Sequence, residues 1–139
     1  MPLYICNAKK DALDAAARTQ SANAITNIHC SVTGAPASFV HAVFFEEASQ
    51  FPLEDKTLIV RGTIRKGRSE DQKNQIAESI KASLVEFGQV ESQQAEALIR
   101  ETPASWVLEG GEIMPEPGEE AEWFAAQEAR RATSATRQV

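Results

Sequence analysis

Cysteine is scarce: Cys6 and Cys30 are the two thiols in 139 residues. That is too few for a disulfide framework, and they lack metal-site spacing, so buried reduced thiols are expected. Long apolar runs are missing as well. Nothing approaches the roughly 20 residues that span a bilayer. No basic segment followed by an apolar one marks a signal peptide, so the chain reads as cytoplasmic with no membrane partner. Positive charge is also in short supply. A formal net charge of −6 argues against nucleic acid, whose phosphates demand neutralising cations. The sequence contains no glycine-rich nucleotide loop and no ligand-spaced metal cluster, and it calls for no cofactor.

What is present suits one soluble domain over residues 1–139. Hydrophobic residues make up 42% and charged residues 24%, ordinary proportions for a globular chain. A chain of this length buries roughly two-thirds of the surface it exposes unfolded. Against the acidic background, Arg61, Arg65, Lys66 and Arg68 form a local basic cluster. Such a cluster on an acidic protein suits a small anion better than a polyanion.

The pattern predicts a short buried strand over 3–7, then an alanine-rich helix over 12–32. Leu13, Ala17, Ala24, Ile25, Ile28 and Val32 mark the inner face of that helix. Thr33-Gly34-Ala35-Pro36 ends it, because glycine takes the left-handed closing position and proline cannot continue. Residues 39–45 are continuously apolar and read as a buried strand, and a charged loop covers 48–56. Residues 57–65 form a strand with Leu58, Val60 and Ile64 on one face and Ile59, Arg61, Thr63 and Arg65 on the other. Ser69-Glu70-Asp71-Gln72 is a capping box. It opens a helix that runs to Phe87, with Ile76, Ile80 and Leu84 inward and Gly88 closing it. Residues 119–131 read as a charged terminal helix that docks through Trp123 and Phe124.

Residues 91–101 have local helix propensity, but an internal comparison points elsewhere. A shift of about 55 residues lays the first strand–helix–strand unit over the second. Pro2 falls on Thr57, Ile25 on Ile80, Phe44 on Ile99 and Glu46 on Glu101. Residues 97–101 are therefore expected as a strand preceded by a turn. The fold class is α+β. Duplicated β-α-β units over 2–47 and 57–102 form a four-stranded sheet with two helices on one face. An extension over 103–139 carries the terminal helix. In this arrangement the starts of the first and third strands are expected to lie near each other.

The chemistry centres on Pro2. Small second residues favour removal of Met1, which would expose a secondary amine. An α-amino group titrates at about 7.7–8.0 before its surroundings act, so Pro2 could be a general base, a general acid or a nucleophile near neutral pH. It could equally just start an edge strand, where a missing N–H costs nothing. Arg65-Lys66-Gly67-Arg68-Ser69 runs from a strand end into a helix N-terminus. Free N–H groups, the helix dipole and two guanidiniums there could hold a carboxylate; a solvated basic turn is the plainer account. His29 lies late on the first helix, where the dipole favours histidine for structural reasons. Glu109, before Gly110-Gly111 and beside Trp106, Val107 and Leu108, could handle protons if apolar surroundings raise its pKa. His41 interrupts a strand pattern. Cys30 faces a different side of the helix from His29, which argues against a Cys–His nucleophile pair.

Taken together, these residues resemble the tautomerase superfamily. Ile25-Thr26-Asn27-Ile28-His29, Ile64-Arg65-Lys66-Gly67-Arg68-Ser69, and Met114-Pro115-Glu116-Pro117-Gly118 through Glu122-Trp123-Phe124 are similar to the cis-3-chloroacrylic acid dehalogenase group. The resemblance covers nearly the whole chain. It implies that Pro2 transfers protons, as a general acid in dehalogenases of the group and a general base in tautomerases. It further implies that Arg65 and Arg68 bind and polarise the substrate carboxylate, that His29 helps hold it, and that Glu109 positions or activates water. Phe39 and Leu98 complete the expected substrate-binding set. A homotrimer with sites near subunit boundaries is implied.

One departure is specific. Leu98 stands where the dehalogenases carry a water-assisting tyrosine, and leucine neither donates to water nor accepts from it. General acid–base contributions are each worth roughly 10²–10⁴-fold, so the expectation tilts toward tautomerase or weak hydratase activity on a small unsaturated or enolisable carboxylate. The alternative is a non-catalytic carboxylate-binding trimer or scaffold.

Overall fold

The computed structural model describes residues 2–137, with side chains through residue 134; Met1, and with it the question of its removal, lies outside the described residues. The first unit comprises β1 (Leu3–Ala8), α1 (Ala15–Thr33) and β2 (His41–Glu46), and the second β3 (Leu58–Arg65), α2 (Glu70–Gly88) and β4 (Ala95–Thr102). A two-stranded hairpin of β5 (Leu108–Glu109) and β6 (Glu112–Ile113) follows, and α3 (Glu120–Arg137) is the last described element.

The sheet order is β2-β1-β3-β4. Each unit contributes a parallel pair, β1 with β2 and β3 with β4, and the units join antiparallel through β1 and β3. The expected neighbouring starts of β1 and β3 are therefore corrected. Leu3 pairs with Thr63 and Ala8 with Leu58, so the beginning of β1 meets the end of β3. The reason is the order: two β-α-β units joined through their first strands by a rotation in the sheet plane run head to tail.

One core lies between the sheet and both helices. Tyr4, Cys6, Leu58, Val60 and Ile64 from the strands meet Ala17 and Ile25 of α1 and Ile76, Ile80 and Leu84 of α2. Alternation along the strands dictates this, because every second side chain faces the helices. The pair matched by the internal shift, Ile25 and Ile80, is buried in both units. Cys6 is buried and Cys30 half-buried, both as free thiols. Burial pushes the Cys6 thiol up to about 12, which keeps it protonated.

Several boundaries differ from expectation for local reasons. Helix α1 begins at Ala15 rather than residue 12, because Asp14 caps it by accepting from the Ala17 N–H at 2.8 Å. Helix α2 carries the expected capping box, with Ser69 and Gln72 bonded reciprocally, but it runs through Gly88. A Cβ on Gly88 would stand 2.6 Å from Leu58 Cδ1, and it is Gln89 that takes the left-handed closing conformation. The glycine thus serves close packing rather than the turn. The strand expected over 97–101 begins at Ala95, after a 3₁₀ turn at Ser92–Gln94. The expectation of a fully buried strand over 39–45 is corrected. A 3₁₀ turn takes Ala37–Phe39, and β2 is an edge strand with His41, Val43 and Phe45 exposed.

On the outer face of the sheet the 48–56 loop folds back over Asn7. The Asn7 side chain donates to the carbonyls of Ala48 and Phe51 at 3.0 and 2.6 Å and accepts from the Ala48 N–H at 3.1 Å. A second small core, of Phe39, Val107 and Met114, lies under Trp123 of α3. The Trp123 indole donates to the Ile113 carbonyl at 2.7 Å. Among the described residues no helix is long and apolar enough to cross a membrane.

Candidate active site

The head-to-tail pairing of β1 and β3 gathers the site at one end of the sheet. Pro2 is fully buried just before β1, and its carbonyl accepts from the His41 N–H at 2.9 Å. The end of β3 alongside delivers Arg65, and the turn to α2 delivers Arg68. That turn is shaped by Gly67, whose φ of 120° disfavours any other residue. Glu101 at the end of β4 pairs with Lys73 of α2 at 2.7 Å. Arg61, the fourth member of the basic run, is not brought here. It lies on the outer face and donates to the Pro52 carbonyl at 2.6 Å.

His29 is 2% exposed, on the buried stripe of α1 with Ala17, Ser21 and Ile25. Its Nδ1 lies 2.7 Å from the Tyr4 hydroxyl, the one hydrogen bond that hydroxyl makes among the described residues. Tyr4 has no exposed surface, so its O–H proton must be donated to that nitrogen to be satisfied. Burial raises the Tyr4 pKa and keeps the hydroxyl protonated for this role. The His29 proton is then on Nε2. Burial first, and then the charges of Arg68 and Arg65, lower the His29 pKa to about 4. At neutral pH His29 is an uncharged donor through Nε2.

Arg65 is 2% exposed and held by the C-terminal extension. Its Nη1 donates to the Pro115 carbonyl at 2.5 Å, its Nη2 to Glu120 Oε1 at 2.9 Å, and its guanidinium sits 5.5 Å from the Phe39 ring centroid. Arg68 differs: its Nε is buried with no hydrogen-bond partner among the described residues. Burial and the charge of Arg65 both lower its pKa, while Glu120 and Tyr4 counter them. Arg68 is the guanidinium with binding capacity left over.

Phe39 belongs to the small second core, meeting Trp123 edge to face at 5.7 Å between ring centroids and Phe124 at a tilt at 5.4 Å. It backs Arg65 instead of presenting an open surface. Glu109 stands on the β5–β6 hairpin, whose Gly110-Gly111 turn has φ of 60° and 83°, and it lies 3.7 Å from Nε2 of His41. Leu98 is not brought to this end of the chain. On β4 it pairs with Arg61 of β3, is 45% exposed, and lines an outer-face cavity of about 380 Å³ with Ile5, Arg61 and Thr63.

Sequence reasoning missed Tyr4 and Glu120. Tyr4 is the sole tyrosine and sits on the inner face of a buried strand, where a hydroxyl needs a partner. Glu120 follows Gly118 in the first turn of α3, where an acid also suits the helix dipole. That general preference gave no hint of a distant arginine.

Comparisons with known proteins bear on the fold and the family. No curated protein matches the chain. Among solved structures, N1, a member of the cis-3-chloroacrylic acid dehalogenase family, superposes with a TM-score of 0.80 at 25% identity, covering 96% of this chain and 99% of that one. The native Ps01740 structure is 34% identical over 77% of this chain and 99% of its own, with a TM-score of 0.68. A symmetric trimer of fused 4-OT, at 15% identity, shares the fold with a TM-score of 0.70 over 81% of this chain and 94% of that one. Residues 1–129 match the model of the family Tautomerase_3, described as "Putative oxalocrotonate tautomerase enzyme". With its α+β sheet of paired β-α-β units and a terminal helix, the chain belongs to that family of the tautomerases.

Proposed function

We propose that the protein is an amino-terminal-proline enzyme acting on a small unsaturated or enolisable carboxylate. The observation that supports it best is the antiparallel β1–β3 register, which sets Pro2 beside the Arg65–Arg68 turn. His29 lies close enough to both arginines for its pKa to feel them. In tautomerisation of an arylpyruvate-type substrate, Pro2 moves a proton between enol oxygen and carbon. In hydration, with or without halide loss from a 3-haloacrylate, Glu109 activates water for attack at the β-carbon while Pro2 protonates the α-carbon. Arg68, Arg65 and the neutral His29 bind the carboxylate and stabilise charge developing on its oxygens. Leu98 cannot assist water, so tautomerase or weak hydratase activity is favoured over efficient dehalogenation.

The assembly is proposed to be a homotrimer. Val43, Phe45 and Leu98 leave apolar surface on the outer face of the sheet, and the fused 4-OT neighbour is a symmetric trimer. In that assembly Leu98 could reach the site of a neighbouring subunit. Light scattering of the purified protein tests the trimer, and a monomer would reject it.

Intact-mass measurement comes first for the catalytic reading, since a chain that keeps Met1 has no free proline amine and cannot use this mechanism. With Met1 absent, Pro2→Ala is expected to abolish turnover of an arylpyruvate enol or a 3-haloacrylate; unchanged rates would reject the role of Pro2. The presence of Leu98 also favours a second reading, a trimer that binds carboxylates without turning them over. Calorimetric binding with no product from any of these substrates would select it.

A further inference from the structure

Two guanidiniums as close as those of Arg65 and Arg68 repel each other when both are withdrawn from water, and each needs compensation. The compensation is unequal. Glu120 places one carboxylate oxygen 2.9 Å from Arg65 Nη2 and the other 2.9 Å from the Gly118 N–H. The Pro115 carbonyl fastens the other terminal nitrogen of Arg65. Arg65 is thus clamped by the extension, while Arg68 Nε stays unpartnered among the described residues. Burial raises the Glu120 pKa, but its bonds to Arg65 and the backbone outweigh this and hold it below the usual carboxylate value, so Glu120 is charged. With His29 and Tyr4 uncharged at neutral pH, the cluster of two arginines and one glutamate carries a single net positive charge.

We propose that Glu120 is a positioning and specificity-determining residue: it cancels the charge of Arg65, leaves Arg68 as the net cation, and restricts the site to ligands with one carboxylate. The inference rests on the carboxylate-binding reading of the same site. Glu120 acts through Arg65 and does not touch the substrate. A second carboxylate on the ligand meets no uncompensated cation in the cluster and is repelled by Glu120 itself. Any charge on the Pro2 amine is the same in the wild type and in the Glu120 variants, so the change in the ratio of the two affinities between them reports Glu120.

Crotonate and fumarate are suitable probes, because they share a four-carbon trans-unsaturated frame and differ in a methyl against a second carboxylate. Calorimetry on the full-length protein is expected to show crotonate bound more tightly than fumarate. In Glu120→Gln the ratio of the two affinities should move toward fumarate by about tenfold or more, the scale of one charge in a partly screened site. Glu120→Asp, which keeps the charge, should retain the wild-type preference. The double variant Arg65→Gln/Glu120→Gln, again with one net charge, should restore it. A merely structural Glu120 would weaken both ligands together and leave the ratio unmoved, and that result overturns the inference. Equal binding of both probes by the wild-type protein overturns it as well, even if the variants fold poorly. Failure of the wild type to bind either probe rejects the carboxylate-site reading and the inference with it.

Discussion

The Tyr4 hydroxyl and the Nδ1 of His29, 2.7 Å apart, join the first strand to the C-terminal half of the first helix. Their rings meet edge to face with centroids 5.8 Å apart. This bond fixes both the tautomer and the orientation of the histidine. Tyr4→Phe removes the donor and leaves a buried Nδ1 without a partner. The expected cost is about 1–3 kcal/mol of stability, measured by urea denaturation. Nitrogen NMR should show the His29 proton redistributed between Nδ1 and Nε2. An unaltered tautomer in the variant would mean that Tyr4 does not set it.

His29 also sets a pH dependence. Burial first, then Arg68 and Arg65, lower its pKa from 6.5 to about 4 in the folded protein. The unfolded chain therefore binds a proton that the folded one refuses between those values, and stability rises with pH across that window. The contribution is fully present above pH 6.5 and is lost as the pH falls toward 4. A shift of this size corresponds to roughly 3 kcal/mol. Denaturation midpoints taken from pH 7 down to 4 should fall more steeply for the wild type than for His29→Gln. Parallel curves would show that other groups carry the acid sensitivity.

Gly62 is the reason Tyr4 can reach the histidine. The two residues pair across β1 and β3, and a Cβ on Gly62 would stand 2.5 Å from Tyr4 Cε1 and 3.0 Å from Ile99 Cδ1. Gly62→Ala forces the ring off the strand, an overpacking expected to cost about 1–3 kcal/mol. It should also weaken carboxylate binding, because the His29 hydrogen bond shifts with the ring. A melting-temperature comparison with carboxylate titration checks both. A variant that stays stable and binds normally would show that the Tyr4 ring has room to move.

Much of this was legible in the chain because the signals are local. The capping box of Ser69 and Gln72, the left-handed Gly34 and the four-residue spacing of Ile76, Ile80 and Leu84 each depend on near neighbours in sequence. The internal shift that pairs Ile25 with Ile80 exposed the duplication and overruled the helix propensity before β4. Other features depended on distant partners. The apolar run before Phe45 looked buried, but it lies at a sheet edge and is half exposed. The antiparallel joining of the units determines which strand ends meet, and the alternation of apolar residues is silent on that. Arg65 and Glu120 are 55 residues apart, and no spacing rule links them.

Asn7 makes the last test, because its side chain bonds the backbone of a loop to the sheet. It is 1% exposed on the outer face, where strand alternation offers no apolar neighbour from either helix. Its amide bonds Ala48 in both directions and donates to the Phe51 carbonyl, and this draws Phe51 to 5.4 Å from the Phe45 ring. Asn7→Ala breaks all three bonds and leaves half-buried backbone groups of Ala48 and Phe51 without their partner, at an expected cost of about 1–3 kcal/mol. Asn7→Asp keeps the acceptor but loses both donors, and it buries a carboxylate against two carbonyl oxygens, so it should be at least as damaging. Limited proteolysis should then cut within 48–56 faster than in the wild type, while the Tyr4–His29 pair at the other end of β1 keeps its tautomer. Loop cleavage at the wild-type rate in both variants would show that the packing of Phe51 on Phe45 and the bond from Arg61 to the Pro52 carbonyl, and not Asn7, hold the loop.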